Sequence, residues 1–236
     1  MPGDHPYLPS SLQLPHYEPN TKPLLEILGI FFAIVTLVLI ATWLILGKMQ
    51  HGRLGVLLKI KLIWLVVSGL IHMVLEGYFS VFHRTLAGEQ TLLAQMWKEY
   101  GLGDSRYIAS DNFTVCMETI TAFIDGPLCI LTTVAFVKSH PLRYPLQLTV
   151  SLCQLYGDVL YFMTSYFDGF KHGEMWHPLY FWFYFVFLNS IWIIIPAILV
   201  ADAFRNLMVA QEIFDKKNKI ESFAPKSRNP KKKKQY

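Results

Sequence analysis

Five long apolar stretches constrain this 236-residue chain more than any other feature of its sequence. Each is long enough to cross about 30 Å of hydrocarbon as an α-helix rising roughly 1.5 Å per residue. The five stretches are residues 24–47, 62–82, 112–137, 146–166 and 179–200. We therefore predict an all-α integral membrane protein built as a bundle of five transmembrane helices.

The composition excludes a soluble domain and divides the chain into three parts. Charged residues make up only 16% of the chain, against roughly 25% in an average soluble domain. Residues 1–23 are rich in proline and polar residues and predict an irregular segment. Residues 24–208 then form the five-helix membrane domain, and residues 209–236 form a basic tail that we expect to be disordered. Within the connection 84–106, residues 92–97 predict a short helix at the membrane interface.

The basic residues are shared unevenly between the two sides of the predicted bundle. Sixteen of the 21 lysines and arginines fall on the side of the C-terminus, which predicts a cytoplasmic C-terminus and a lumenal N-terminus. Lys233 and Lys234 match the pattern of dilysine retrieval signals, so we expect a multi-pass protein of the endoplasmic reticulum membrane or the nuclear envelope. Ten basic residues beside an anionic leaflet account for the net charge of +4, and no nucleic-acid partner is expected.

Polar side chains form a face on four of the five predicted helices. An ionisable group inside a bilayer costs about 2.5–3.5 kcal/mol on insertion scales, so each one is a candidate functional residue. Residues three or four apart share one helix face. The four faces comprise Ser68, His72 and Glu76; Glu118, Thr121 and Asp125; Gln147, Ser151, Gln154, Asp158, Tyr161 and Ser165; and Asn189 with Trp192.

Depth decides which of these residues can act together. His72, Glu118 and Asn189 lie roughly 9–15 Å from the lumenal ends of their helices. Asp158 falls at about the same level, whereas Asp125 lies deeper toward the cytoplasmic side. We therefore predict one cavity in the lumenal half of the bundle, with Glu76 close enough to His72 to form an acid/base pair.

Each candidate also has a plain structural interpretation. For Gln147, Ser151 and Gln154, an equally good explanation is that their hydrogen bonds hold neighbouring helices together. Asp158 is equally well explained as a buried structural acid. Trp192 is most simply a packing residue, singled out by its spacing from Asn189. For His72, Glu76 and Glu118 together the functional interpretation is favoured. Placing a carboxyl inside the bilayer costs more free energy than placing an amide there, so carboxyls are poor choices for holding helices together.

The cavity chemistry that these residues predict is proton transfer to a lipid-like molecule. The sequence contains no P-loop, no dinucleotide-binding glycine pattern and no Ser-His-Asp order. The three cysteines, Cys116, Cys129 and Cys153, form no CxxC pair and have no histidine at metal-ligand spacing. We therefore expect no metal and no organic cofactor, and we expect the three thiols to be buried.

Several runs of this chain resemble the emopamil-binding (EXPERA) family. The similarity extends over about residues 62–202 and is closest in residues 95–100, 103–108, 111–121, 154–162 and 177–187. Within the family, these runs are similar to the sterol Δ8–Δ7 isomerases of cholesterol synthesis rather than to the shorter emopamil-binding-like members or the sigma-2 receptors. Asp125 departs from the family pattern, where relatives carry an aromatic residue.

The resemblance implies an enzyme, a cholestenol Δ-isomerase that moves a sterol ring double bond by protonation at carbon 9 and proton loss from carbon 7. His72 with Glu76 would supply the proton, although the resemblance leaves open an exchange of the donor and acceptor roles. Glu118, oriented by Thr121 and Asn189, would stabilise the carbocation and take a proton back. The implied catalytic residues are His72, Glu76, Glu118, Thr121 and Asn189, and the implied substrate-binding residues are Trp192, Asp158, Tyr107 and Met117.

The implied partners are a Δ8-sterol substrate, the lipid bilayer and hydrophobic amines whose ammonium mimics the carbocation. A homodimer and an association with other sterol-synthesis enzymes, such as 7-dehydrocholesterol reductase, are further expectations. Two other classes remain open: a non-catalytic sterol or amine receptor of the same fold, and a proton-coupled transporter. Neither needs the His72–Glu76 pair, and transporters usually show an internal repeat that this sequence lacks.

Overall fold

A computed structural model describes residues 5–49 and 55–223, and every regular element in those two ranges is helical. Eight α-helices follow one another, three of them preceded by π-helical turns. The α-helices are α1 (Leu24–Met49), α2 (Val56–Ile71), α3 (Gly77–Phe82), α4 (Leu92–Tyr100), α5 (Asn112–Ile120), α6 (Gly126–Val137), α7 (Arg143–Phe167) and α8 (Asn189–Phe223). All five predicted stretches are helical, and so is the short connecting helix α4.

Within the described ranges, four helical segments are long and apolar enough to cross a membrane. They are Leu24–Lys48, Val56–Phe82, Asn112–Val137 and Pro178–Ile220. α7 has 25 residues but does not belong to these four, because its buried face carries a polar stripe in place of apolar residues. The membrane-helix prediction is therefore confirmed for four of the five stretches, and the crossing by α7 stays a prediction.

Two glycines let α2 approach α6 closely. A Cβ atom added to Gly69 would lie 2.9 Å from the Cβ of Cys129, and one added to Gly126 would lie 2.6 Å from the Cγ of Met73. Small residues are what allow membrane helices to pack backbone against backbone. Because Gly69 and Gly126 lie within one helical turn of His72 and Asp125, this contact brings the polar faces of the two helices together.

The three π-helical turns occur at the level of the predicted site. They are His72–Glu76 between α2 and α3, Thr121–Asp125 between α5 and α6, and Pro178–Leu188 before α8. A π-helical turn is wider than an α-helical turn and changes the direction in which side chains leave the helix. His72 and Glu76 begin and end the first turn, Glu118 lies one turn before the second, and Asn189 directly follows the third.

The N-terminal segment and α4 together form a cap over one end of the bundle. The segment 5–23 has no helix, as predicted, but it is well packed: the Tyr7 phenol is buried and donates to the Lys98 carbonyl over 3.0 Å. The Lys98 ammonium in turn donates to the Glu18 carbonyl over 2.8 Å, and burial lowers the pKa of Lys98. On the bundle side, the Trp97 indole donates to the Leu75 carbonyl, which fixes α4 against the second span.

Two sequence expectations are wrong. α8 continues to Phe223, so residues 209–223 are helical rather than disordered, while residues 224–236, with Lys233 and Lys234, lie outside the described residues. Cys116 is exposed on the outer face of α5, and only Cys129 is fully buried. A uniformly apolar stretch does not show which face of the helix packs inside the bundle and which faces outward. A cysteine can occupy either face.

Candidate active site

A cavity of about 220 Å³ lies between the cap and the spans. One water needs roughly 10–15 Å³, so the cavity has the size of a ligand site. All nine residues that the sequence assigned to catalysis or substrate binding line it: His72, Glu76, Tyr107, Met117, Glu118, Thr121, Asp158, Asn189 and Trp192. The predicted common level is therefore confirmed. Asp125 is not among the lining residues, in agreement with its predicted greater depth.

His72 and Glu76 form the predicted pair. The Nδ1 of His72 lies 2.8 Å from both carboxyl oxygens of Glu76. His72 is 1% exposed, and the Glu76 side chain is 12% exposed. The π-helical turn between them keeps the spacing of four residues while turning both side chains toward the cavity.

The second nitrogen of His72 is also in contact with protein groups. The Nε2 atom lies 2.9 Å from the amide nitrogen of Gln154 on α7, and the Trp192 indole nitrogen donates to it over 3.4 Å. The imidazole is thereby contacted by Glu76 from its own span and by one residue each of α7 and α8, and both His72 and Glu76 line the cavity.

Glu118 is held by a phenol from the cap side. The Tyr107 hydroxyl donates to Oε1 of Glu118 over 2.5 Å, and burial raises the pKa of the Tyr107 phenol, so it remains a donor. The Glu76 carboxyl lines the same cavity as that of Glu118.

The expected orientation of Glu118 by Thr121 and Asn189 is wrong. The Thr121 hydroxyl donates to the Met117 carbonyl one turn back, over 2.8 Å, which is the usual way a threonine satisfies itself inside a helix. The Asn189 amide donates to the Tyr100 hydroxyl over 2.9 Å and to the Phe185 carbonyl over 2.7 Å. Both residues line the cavity, but neither of these bonds involves Glu118.

Asp158 and Asp125 each keep a buried carboxyl oxygen without a hydrogen-bond partner among the described residues. Asp158 is 8% exposed and lines the cavity beside Glu118. A buried acceptor left unpaired is costly, and Asp158 bears that cost at the wall of the cavity. Asp125 faces the packed interior near Cys153 instead.

Sequence reasoning missed the part of the site that the cap contributes. Four cavity-lining residues come from α4, namely Met96, Trp97, Glu99 and Tyr100, and Tyr184 comes from the π-helical segment before α8. Glu99 accepts from the Tyr184 hydroxyl over 3.0 Å, and burial raises the pKa of Glu99. The sequence signal was the pair Trp97 and Tyr100, which at a spacing of three residues share one face of α4.

The remaining wall of the cavity is apolar. α1 contributes Ile27, Leu28 and Phe31, and the second span contributes Ile71 and Leu75. Among the described residues, no group of three or more His, Cys, Asp or Glu side chains is arranged to hold a metal ion. The arrangement therefore offers carboxyl and imidazole groups to an apolar ligand.

Together, the fold and this site define a class: a helical membrane protein with an apolar cavity whose acids and histidine are placed for proton transfer. Comparison with known proteins agrees. The sequence model of the EXPERA (EXPanded EBP superfamily) family matches residues 92–203, and the chain belongs to this family.

Relatives of known name extend the similarity over most of the chain. The 3-beta-hydroxysteroid-Delta(8),Delta(7)-isomerase of Rattus norvegicus is 48% identical over 213 residues, which are 90% of this chain and 93% of the rat protein. The probable isomerase of the same name from Oryza sativa subsp. japonica is 38% identical over 89% of this chain and 94% of its own length. The isomeliandiol synthase ISM1 of Ailanthus altissima is 36% identical over 77% of this chain and 84% of its own length.

Proposed function

We propose that this protein is a sterol isomerase that moves the ring double bond of 3β-hydroxysteroids from Δ8 to Δ7. The observation that carries the proposal is the pair of carboxyls, Glu76 and Glu118, brought together with His72 around one apolar cavity. The names of the relatives supply the substrate class and the two double-bond positions.

The reaction needs one proton added and one removed. A proton delivered to carbon 9 breaks the C8–C9 double bond and leaves a cation at carbon 8, and loss of a proton from carbon 7 then forms the C7–C8 double bond. The sterol gains one proton and loses one, so carboxyl groups that give and take protons are enough for the reaction. Glu76, held by His72, delivers the proton, and Glu118 stabilises the cation and accepts the proton from carbon 7.

Tyr107 keeps Glu118 in position for both tasks. Its short hydrogen bond occupies one carboxyl oxygen and leaves the other for the carbon skeleton and the Glu76 carboxyl. The apolar walls exclude water, which would otherwise trap the cation as an alcohol.

The remaining lining residues bind the sterol. The Trp192 ring adds cation–π attraction to the charge at carbon 8, and Met117 with the α1 side chains packs against the rings. Asp158, which lines the cavity, accepts a hydrogen bond from the 3β-hydroxyl. Hydrophobic amines of similar shape bind in the same place, because an ammonium resembles the cation.

The proposal also includes the membrane topology and the subcellular location of the protein. α7 is the fifth crossing, since its polar stripe faces the bundle interior, and the protein resides in the endoplasmic reticulum with a lumenal N-terminus. A tag after Tyr236 is then accessible from the cytosol and one before Pro2 is protected. Equal accessibility of the two tags would mean an even number of crossings.

Sterol analysis tests the function. A host that lacks its own isomerase accumulates Δ8-sterols, and expression of this chain should convert them to Δ7-sterols. The matched control is Glu118→Gln, which keeps the side-chain shape and removes the acid. Tight amine binding by a wild-type chain that leaves Δ8-sterols unconverted would instead identify a non-catalytic receptor.

A further inference from the structure

We propose that Gln154, together with Trp192, positions His72 by holding its imidazole in the tautomer that carries the proton on Nδ1. The sequence left Gln154 as a candidate for interhelical glue, and nothing in the resemblance assigns it a role. The hydrogen bonds around His72 give Gln154 a role. The effect of the His72 tautomer on turnover rests on the proposed isomerase function, whereas the assignment of the tautomer does not.

The indole decides the direction of the hydrogen bonds at Nε2. An indole N–H donates and never accepts, so the Trp192 contact of 3.4 Å requires a lone pair on Nε2. A neutral imidazole with a lone pair on Nε2 carries its proton on Nδ1. That proton points at Glu76, whose two oxygens lie 2.8 Å away.

The Gln154 amide agrees with this assignment. Its nitrogen lies 2.9 Å from Nε2 and 3.6 Å from the Cys129 sulfur. Turning the amide over would place an oxygen lone pair against the Nε2 lone pair. The shorter of the two contacts at Nε2 therefore comes from Gln154, which is 4% exposed and comes from a different helix than the indole.

Because two N–H groups donate to Nε2, the Nδ1–H is the group through which His72 can act. It cannot deliver a proton from Nε2 to a ligand, because in this tautomer Nε2 bears no proton and its one lone pair already accepts from two N–H groups. Its Nδ1–H instead fixes the Glu76 carboxyl, which becomes the group that exchanges the proton with the substrate. Gln154 and Trp192 thus act on the reaction through His72 and Glu76.

The tautomer is measured directly by ¹⁵N NMR of detergent-solubilised full-length protein labelled at histidine. The His72 signal is identified by its loss in His72→Gln. We expect one protonated nitrogen, Nδ1, and one bare nitrogen, Nε2, at neutral pH. A proton on Nε2, or on both nitrogens, would overturn the proposal, and this readout requires no sterol conversion.

Variants at Gln154 extend the test to turnover. In Gln154→Glu a carboxylate faces Nε2 and accepts a hydrogen bond from it, so the Nε2 signal should become that of a protonated nitrogen. Turnover should then fall by about tenfold or more, part of the roughly 10²–10⁴-fold that acid–base groups contribute, with a smaller change in KM. An unchanged Nε2 signal in this variant would show that the amide does not set the tautomer.

Gln147 provides the matched control. It is a second buried glutamine on the same face of α7, and its amide donates to Leu199 and Asp202 rather than to His72. Gln147→Met and Gln154→Met remove the same group from the same helix. Only Gln154→Met should alter the His72 signal; an equal change in both would reduce Gln154 to a packing role. A wild-type protein with the expected tautomer and no sterol conversion would refute the isomerase function alone.

Discussion

Two of the polar clusters that link helices of this bundle differ in burial and in what their atoms face: the Asp202 side chain is 37% exposed, whereas that of His72 is 1% exposed. The cavity cluster consists of His72, Glu76 and Glu118. The anchor cluster consists of Lys61, Gln147 and Asp202. The Lys61 ammonium donates to Asp202 over 2.5 Å and to Gln147 over 3.1 Å. The Gln147 amide in turn donates to Asp202 over 2.9 Å. The anchor cluster contributes no residue to the cavity lining.

The surroundings of the two clusters sharpen the contrast. The anchor cluster lies beside an aliphatic core that includes Leu62, Leu65 and Val150, and its ammonium lies over the Phe136 ring. The cavity cluster borders an aromatic core that includes Trp97 and Tyr107. The comparison teaches that an ionisable residue in a membrane helix is structural when its partners are complete within the protein, and available for chemistry when one side of it faces a cavity.

The largest expected effect is on Glu118. Glu118→Gln keeps the volume and the contact with Tyr107 but removes the acid, so conversion of Δ8-sterols should fall by about 10²–10⁴-fold. Binding of a hydrophobic tertiary amine should fall with it, because the same charge attracts the ammonium. Both are measured on detergent-solubilised protein of verified fold.

Asp202→Asn is the control that tests the contrast between the clusters. It should lower the melting temperature, because the Lys61 ammonium loses its ion pair, and leave conversion by the folded fraction close to that of the wild type. Loss of conversion in a well-folded Asp202→Asn variant would break the comparison.

The next largest effect is on His72. His72→Ala removes the group that holds Glu76, and we expect turnover to fall by about 10²-fold while amine affinity changes far less. The reason is that a preformed cation needs the Glu118 charge and no proton. Equal losses of turnover and affinity would show that His72 shapes the cavity rather than the proton transfer.

Much of this site followed from the sequence, because a helix has one period and one rise per residue. Spacing put His72 and Glu76 on one face, and depth put them level with Glu118 and Asn189; the structure agrees on both. The hydrogen-bond partners did not follow. Tyr107 reaches Glu118 from a loop, and Gln154 reaches His72 from another helix, and neither contact has a periodic signal.

All five long helices were predicted from the sequence, α7 included, although the polar stripe of α7 lowers its average hydropathy. The cap was missed, because segment 5–23 has no repeating pattern and its order comes from single hydrogen bonds such as that of Tyr7 to Lys98. Tertiary contacts of this kind are specified by position in space and not by local sequence.

A smaller effect is expected at Tyr107. Tyr107→Phe keeps the ring, which stacks on Trp97 with centroids 4.7 Å apart, and removes only the hydroxyl that holds Glu118. A hydrogen bond to a charged group contributes about 1.5–3 kcal/mol, so turnover should fall by roughly 10–10²-fold. Steady-state rates at saturating sterol give the answer, and wild-type turnover would mean that Glu118 needs no positioning.

The smallest effect is expected at Trp192. Trp192→Phe keeps an aromatic face and loses the N–H that reaches His72, so it should lower turnover and retain most amine affinity. Trp192→Ala should also weaken amine binding, by about 0.5–2 kcal/mol, the range of a cation–π contact. Titration with one tertiary amine separates the two variants, and identical affinities would remove cation–π attraction from the account.

The most direct measurement of proton transfer by the cavity cluster is isomerisation in D₂O. The exchangeable carboxyls then carry deuterium, and the Δ7-sterol produced by the wild-type protein should hold one deuterium, at carbon 9, as located by mass spectrometry and NMR. A product that forms at the normal rate without deuterium at carbon 9 would contradict the account, because the hydrogen would then have moved within the sterol and not through Glu76 and Glu118.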